Sequence, residues 1–356
     1  MRKKSKKELA DEHFTATLPS VIGFHETMLA DGVRNALLTR AITNRVSAGT
    51  RFLDVGSGAG TWAILAAKLG ARRVVAIEMQ EALIPLIFKH AQENGVADRI
   101  EIIHGRSDDV RLRGRFDVIV SELFGSSAYG KETVDSFVDL RKRFLAPGGV
   151  LIPQKLSLFA APVHFGMLGR AVPSGVPIST EYVRSIGRNF AVNVALRDRE
   201  QIELLADPKL LSELDFRSVE SSPAFDGIEV EFDVGEIRRV NAFATFDKST
   251  FDDGVLMENF ESQSWGTIVY PIAEIDKDGA GRLSFGLRMN DKGSVWTVRV
   301  ANDNTIPPAT YSPALAGARL KMAVATAPHR TVRTRKQLNE APGPAARKRS
   351  RTSDRD

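Results

Sequence analysis

The chain has 356 residues, 26% of them charged and 43% hydrophobic, which is ordinary globular composition with room for two domains. There is no cysteine, and none of the six histidines stand four apart; this excludes disulfides, cysteine nucleophiles, thiolate metal sites and a helical zinc motif, and no metal site is expected. Residues 1–7 hold five Lys/Arg and no acid, and residues 329–356 hold nine Lys/Arg against three acids, so of the net +5 the body from 8 to 328 carries −6, a balance suited to a cationic substrate.

In chain order, residues 1–12 read as a basic tail. No apolar stretch follows it as a secretory signal requires, and no run reaches the ~18 residues of a membrane span. The cytoplasm is the default expectation, with no membrane partner. From Arg51 to Pro153, apolar runs at 51–55, 73–78, 100–104, 116–121 and 149–153 predict strands. Helical patterns at 61–69, 80–94 and 133–144 lie between them, the second closed by Gly95 and the third by Pro147-Gly148-Gly149. Repeated strand and helix imply a parallel sheet covered on both faces. After Pro153 the pattern changes. Alternating segments at 155–161, 228–232, 239–245, 267–273, 282–289 and 294–300 predict a mostly antiparallel half, with helical signal only near 180–187 and 207–214. Residues 327–356, with Ala341-Pro342-Gly343-Pro344 and Arg347-Lys348-Arg349, predict a disordered basic tail. Such tails bind nucleic acid only nonspecifically.

The strongest local signal is Asp54-Val55-Gly56-Ser57-Gly58-Ala59-Gly60, joining a strand to a helix. Glycines there permit tight turning and close backbone approach to a ligand. A dinucleotide fingerprint needs a further glycine where Thr61 stands. Asp54 would repel a phosphate but accept from an ammonium group. S-adenosylmethionine offers an ammonium, a carboxylate and no phosphate. Glu78 ends the second strand, where an acid accepts from ribose hydroxyls. Ser107 and Asp108 follow the third, where an acid accepts from an adenine amino group.

These features resemble the class I S-adenosylmethionine-dependent methyltransferases, and three further stretches resemble the protein arginine N-methyltransferase family. The first is Phe24-His25-Glu26-Thr27-Met28-Leu29-Ala30-Asp31-Gly32-Val33-Arg34. The resemblance implies a helix over the cofactor, with Arg34 on its carboxylate, Met28 against the sulfonium and His25 at its edge. The second is Ser121-Glu122-Leu123-Phe124-Gly125, which opens the family's loop of two catalytic glutamates. Glu122 matches the first. The second is expected nine residues on, where Lys131 stands, and Glu132 is taken to serve after a one-residue insertion. The third is Leu145-Ala146-Pro147-Gly148-Gly149 through Pro153, where the family passes from sheet to β-barrel.

The implied architecture is therefore α/β: a Rossmann-like methyltransferase domain over 13–153, then a mostly antiparallel β-barrel domain over 154–326 for substrate binding and dimerisation. At Ser262-Gln263-Ser264-Trp265-Gly266 the family commonly has Thr-His-Trp, so Ser264 replaces a histidine that contacts the clamp, and Ser264 and Trp265 are expected near substrate. Residues 166–200 occupy the place of the family's dimerisation arm, with Tyr182, Val183, Ile186 and Phe190 as contacts of an expected homodimer. The expected activity is methyl transfer to arginine guanidinium nitrogens of proteins or peptides. The alternatives are another side chain, a small-molecule amine, or cofactor binding without catalysis.

Overall fold

The computed structural model describes residues 21–123, 129, 131–168, 178–194, 196–222, 227–258, 261–262, 264–290 and 293–326. Both expected tails lie outside these. The chain divides into two compact units, Met1–Ala316 and Gly317–Asp356. The sheets and the candidate site belong to the first.

Residues 21–30 form helix α1. After Asp31 comes α2 (Gly32–Arg45), whose first turn Asp31 caps by accepting from the Arg34 amide at 3.2 Å. A five-stranded sheet follows, in the order β3 (Ile100–His104), β2 (Arg73–Glu78), β1 (Arg51–Val55), β4 (Phe116–Ser121) and β5 (Leu145–Ile152). All its pairings are parallel. The connecting helices are α3 (Thr61–Lys68), α4 (Ile84–Glu93) and α5 (Lys131–Phe144). The first four strands have the expected bounds. The sheet is built outward from β1 in both directions, so the carboxyl ends of β1 and β4 border a crevice, the place where such sheets hold ligands. One expectation is corrected here. Pro147-Gly148-Gly149 does not follow the helix as a loop: β5 starts at Leu145, directly after α5, and a register shift between Phe116 and Val118 absorbs the segment.

Beyond the Ile152–Pro153 bond the chain is antiparallel. One sheet runs β7 (Val192–Val194), β13 (Thr267–Pro271), β11 (Ala242–Asp252), β6 (Lys155–Phe165) and β8 (Ile202–Leu204), with β12 (Val255–Glu258) on β11 and β9 (Lys209–Asp215) on β6. The other runs β10 (Ile228–Val234), β14 (Gly281–Asn290), β15 (Gly293–Val300) and β16 (Ala309–Tyr311). Their facing apolar residues, among them Leu156, Leu158, Phe232, Phe243, Tyr270, Phe285 and Trp296, share one buried cluster. That cluster continues through Phe137 and Phe216, stacked at 3.9 Å, to Leu53, Val55 and Phe116 of the parallel sheet.

The expected helix at 207–214 is instead strand β9, and the reason is physical. The pairing of β6 with β9 skips Leu211 between Leu158↔Ser212 and Phe159↔Leu210. This bulge turns Leu211 and Leu214, three residues apart, to the same buried side. The helix expected near 180–187 is α6 (Glu181–Gly187). A further helix, α7 (Pro313–Thr326), was not expected. No described helix is long and apolar enough to cross a membrane.

Candidate active site

A cavity of about 380 Å³ opens at the carboxyl ends of β1, β2 and β4, under α1. Its walls include His25, Met28, Arg34, Asp54, Gly56, Gly58, Trp62, Glu78 and Glu122. Eight of the twelve residues expected to bind cofactor or act in catalysis, Glu122 among them, thus meet at one place.

The loop after β1 has three left-handed glycines, Gly56, Gly58 and Gly60, at φ +71°, +56° and +80°. Side chains would be strained there, and they would also collide. A Cβ on Gly58 would lie 2.5 Å from His25 Cε1, and one on Gly56 2.5 Å from Leu123 Cδ2. The Gly58 amide donates to Glu78 Oε2 at 2.8 Å, and the Gln80 amide donates to Oε1 at 2.9 Å. These two bonds fix the Glu78 carboxylate at the end of β2 and leave a lone pair on each oxygen for a ligand.

Asp54 is buried at the end of β1. Gly60 offers no side chain to cap α3, and Asp54 Oδ2 takes that part by accepting from the Ala63 amide at 3.0 Å. Burial is the main reason its pKa is pushed up to about 7; Glu122 and Glu78 add to this, and the Ala63 amide opposes it. Burial also lowers the His25 pKa, helped by Arg34 and opposed by Glu78.

Arg34 and Glu122 face each other, with side chains only 4% and 8% exposed. Arg34 Nε donates to Glu122 Oε1 at 2.9 Å and Nη2 donates to Oε2, a bidentate pair. Arg34 Nη1 donates to the Met28 carbonyl at 3.1 Å and to Asn35 Oδ1 at 2.7 Å. Four of the five guanidinium N–H groups are therefore in use.

Other expected residues lie elsewhere. Asp108 is exposed and paired with Arg106, two residues away, and this partner holds it below the usual carboxylate range. Ser107 lines no part of the cavity; its carbonyl accepts from Arg143. Glu132 stands exposed on the first turn of α5, where with Asp108 and Asp109 it raises the Arg106 pKa. Phe124 and Gly125, and the rest of 124–128, lie outside the described residues. Trp265 packs edge-on against Phe251, with centroids 6.1 Å apart. Gly60 closes the loop by packing toward Ile87 rather than the cavity.

Ser264 acts through α2. Its amide and Oγ donate to Asp31 Oδ2 at 2.9 and 2.7 Å, and Ser262 Oγ donates to the same oxygen at 2.6 Å. Burial works against the Asp31 charge, but these bonds prevail and hold its pKa below the usual range. At the other end of α2, Arg45 Nε donates to Asp252 Oδ1 at 2.8 Å. The helix that carries Arg34 is thus fastened at both ends to the antiparallel half. Ser262→Ala is expected to cost about 1.5–3 kcal/mol, the worth of a buried hydrogen bond to a charge. The check is a lower urea midpoint at unchanged slope.

The sequence reading missed Asp31, Ser262 and Trp62. Asp31 carried a signal: an Asp ahead of Gly-Val-Arg is a helix-cap pattern. Trp62 carried a weaker one, since a buried indole N–H needs an acceptor.

Residues 52–149 match the family described as a methyltransferase domain. A probable protein arginine N-methyltransferase 6.2 of Oryza sativa subsp. indica is 35% identical over 146 residues, 40% of this chain and 37% of that protein. The ribosomal protein arginine N-methyltransferase rmt3 of Schizosaccharomyces pombe is 36% identical over 137 residues, 38% of this chain and 25% of that protein. The matched segment thus spans well under half the length of either relative. Among solved structures, the Trypanosoma brucei PRMT1 enzyme-prozyme heterotetrameric complex with AdoHcy matches with a TM-score of 0.68 at 18% identity, over 81% of this chain and 97% of that one. Arabidopsis thaliana protein arginine methyltransferase 10 matches with a TM-score of 0.65 at 20% identity, over 81% and 95%. The fold of this chain, parallel sheet and antiparallel half together, is theirs.

Proposed function

We propose that this chain, similar in its first half to the protein arginine N-methyltransferases, transfers methyl from S-adenosylmethionine to arginine guanidinium nitrogens of proteins or peptides. The observation that carries the reading is the cavity itself: one guanidinium, Arg34, and three carboxylates, Asp54, Glu78 and Glu122, around a glycine loop. That charge set fits a ligand with one carboxylate and two cationic groups. The glycine cradle, which no Cβ could enter, fits its close approach.

Arg34 would hold the ligand carboxylate, Asp54 the ammonium, Glu78 the ribose hydroxyls, and Met28 and His25 the rim. The bound cofactor supplies an electrophilic methyl. Glu122 accepts from the acceptor's fork and draws its positive charge toward the bonded nitrogens, which leaves electron density on the nitrogen that attacks. Its position just past the end of β4, next to the loop of β1, brings acceptor and cofactor together, and most of the catalysis is this placement.

A methyl acceptor with a single amine is the second reading. It is favoured by the placement of Glu132 beside Arg106, which leaves Glu122 as the one clamp carboxylate among the described cavity residues. Labelled methyl transfer to an arginine-rich peptide and to its lysine twin separates the two readings. Transfer to the arginine peptide alone supports the first; transfer to the lysine twin alone sinks it. Loss of transfer in Glu132→Gln would bring Glu132 into the clamp.

Asp54 must be ionised to hold an ammonium. With its pKa near 7, S-adenosylhomocysteine should bind about tenfold more weakly at pH 6 than at pH 8. Asp54→Asn should bind weakly at both. Calorimetric titration at the two pH values checks the slope.

Exposed Tyr182, Val183 and Phe190 on and after α6 support a homodimer formed through this segment. The partner class is a protein or peptide arginine substrate, and no nucleic-acid role is proposed for the body.

A further inference from the structure

Trp62 sits on the first turn of α3, two residues past Gly60, and is 6% exposed. Its indole N–H donates to Glu122 Oε2 at 2.8 Å. Its ring lies 5.6 Å from the Arg34 guanidinium carbon. The Glu122 carboxylate therefore has three donors: Arg34 Nε on Oε1, and Arg34 Nη2 and the indole on Oε2. The two kinds of donor differ in what else is asked of them. Arg34 has one N–H uncommitted, so it can grip a ligand carboxylate through two parallel bonds only by releasing a present partner. The indole has one N–H and one task.

We propose that Trp62 is a positioning residue for the acceptor carboxylate: its indole N–H holds Glu122 in place while Arg34 turns to the cofactor and the acceptor cation takes its place. The inference rests on the methyl-transfer reading above. With Oε2 anchored, Oε1 and the second lone pair of Oε2 stay aimed at an incoming fork, and bidentate recognition needs both oxygens at a fixed angle. Without the anchor, Glu122 swings about its side-chain bonds, and misplacement by about 1 Å can cost up to 10²-fold in rate. The indole is well suited to this. It is rigid, it cannot lose its proton, and it brings no charge that would compete for the acceptor.

Trp62→Phe keeps a ring and removes the N–H. With the full chain and an arginine-rich peptide, kcat should fall roughly tenfold or more, while the Kd of S-adenosylhomocysteine changes less than about twofold. In a Glu122→Gln background the same change should cost little further, because the residue it acts through is already altered. Trp62→His, which retains a ring N–H, should recover part of the rate. An equal loss in both backgrounds, or no loss in either, overturns the proposal. A second arm needs no turnover. The emission of Trp62, taken as the difference between wild type and Trp62→Phe, should shift when Glu122→Ala removes the acceptor. An unchanged emission overturns the pairing. If emission shifts but wild type labels no arginine peptide, the arginine reading fails and the indole–carboxylate pairing is upheld.

Discussion

Glu122→Gln is expected to lower methyl transfer by about 10²–10³-fold, the loss typical when one fixed charge-stabilising group is removed from a site, while S-adenosylhomocysteine binding is kept or tightened. The two effects come from one pair. Glutamine has nearly the shape of glutamate but cannot pull charge through a guanidinium. It also cannot accept at both ends of the Arg34 fork. Arg34, buried at 4% exposure, is then left without its counter-charge. Breaking a buried ion pair from one side typically costs 3–5 kcal/mol, so the ligand-free variant should melt earlier. A ligand carboxylate supplies the missing charge, so saturating S-adenosylhomocysteine should close much of the gap in Tm. Single-turnover transfer, calorimetric titration and melting with and without ligand make the check. Unchanged turnover removes Glu122 from the mechanism. A weaker Kd shows that Arg34 binds the ligand without leaving Glu122.

Gly58→Val is expected to reduce cofactor affinity at least a hundredfold while the fold survives. Three costs meet at this position. At φ +56° a β-branched residue is strained by about 1–2 kcal/mol. Its Cβ would lie 2.5 Å from His25 Cε1, so the imidazole must swing out of the cavity wall. The added methyls also fill the path by which a ligand approaches the loop backbone. The amide itself, with its bond to Glu78, need not be lost, so far-ultraviolet circular dichroism should remain that of wild type. Titration with S-adenosylhomocysteine decides the matter. Retained affinity would show that ligands do not lie against this loop.

Much of the parallel sheet was legible because each strand is a short apolar run bounded by a polar turn, and a strand buried on both faces has little other way to read. The glycine loop was legible because backbone at positive φ leaves few residue choices. The misreadings have local causes. Leu211 and Leu214 take helical spacing from a bulge. Pro147-Gly148-Gly149 looks like a loop, yet β5 sits next to β4 and tolerates a shifted register. At the site, Arg34, Asp54, Glu78 and Glu122 could be placed because each stands in or next to the end of a recognisable element. Asp108 and Glu132 follow chain positions equally well, but Asp108 pairs with Arg106 and Glu132 stands exposed on α5, and nothing in spacing reveals which partner a carboxylate will meet. Trp62 and Ser262 act on residues 60 and 231 positions away, a distance no local pattern spans.

The fastening of α2 also sets an order of events in time. Asp31 caps the helix that carries Arg34, yet the serines that secure Asp31 come 231 and 233 residues later. At a synthesis rate of ~5–20 residues per second, the first anchor waits roughly 10–50 s for the second to leave the ribosome. The parallel sheet can close on its own contacts during that interval. Until then the helix that carries Arg34 lacks the bonds that Ser262 brings to its cap.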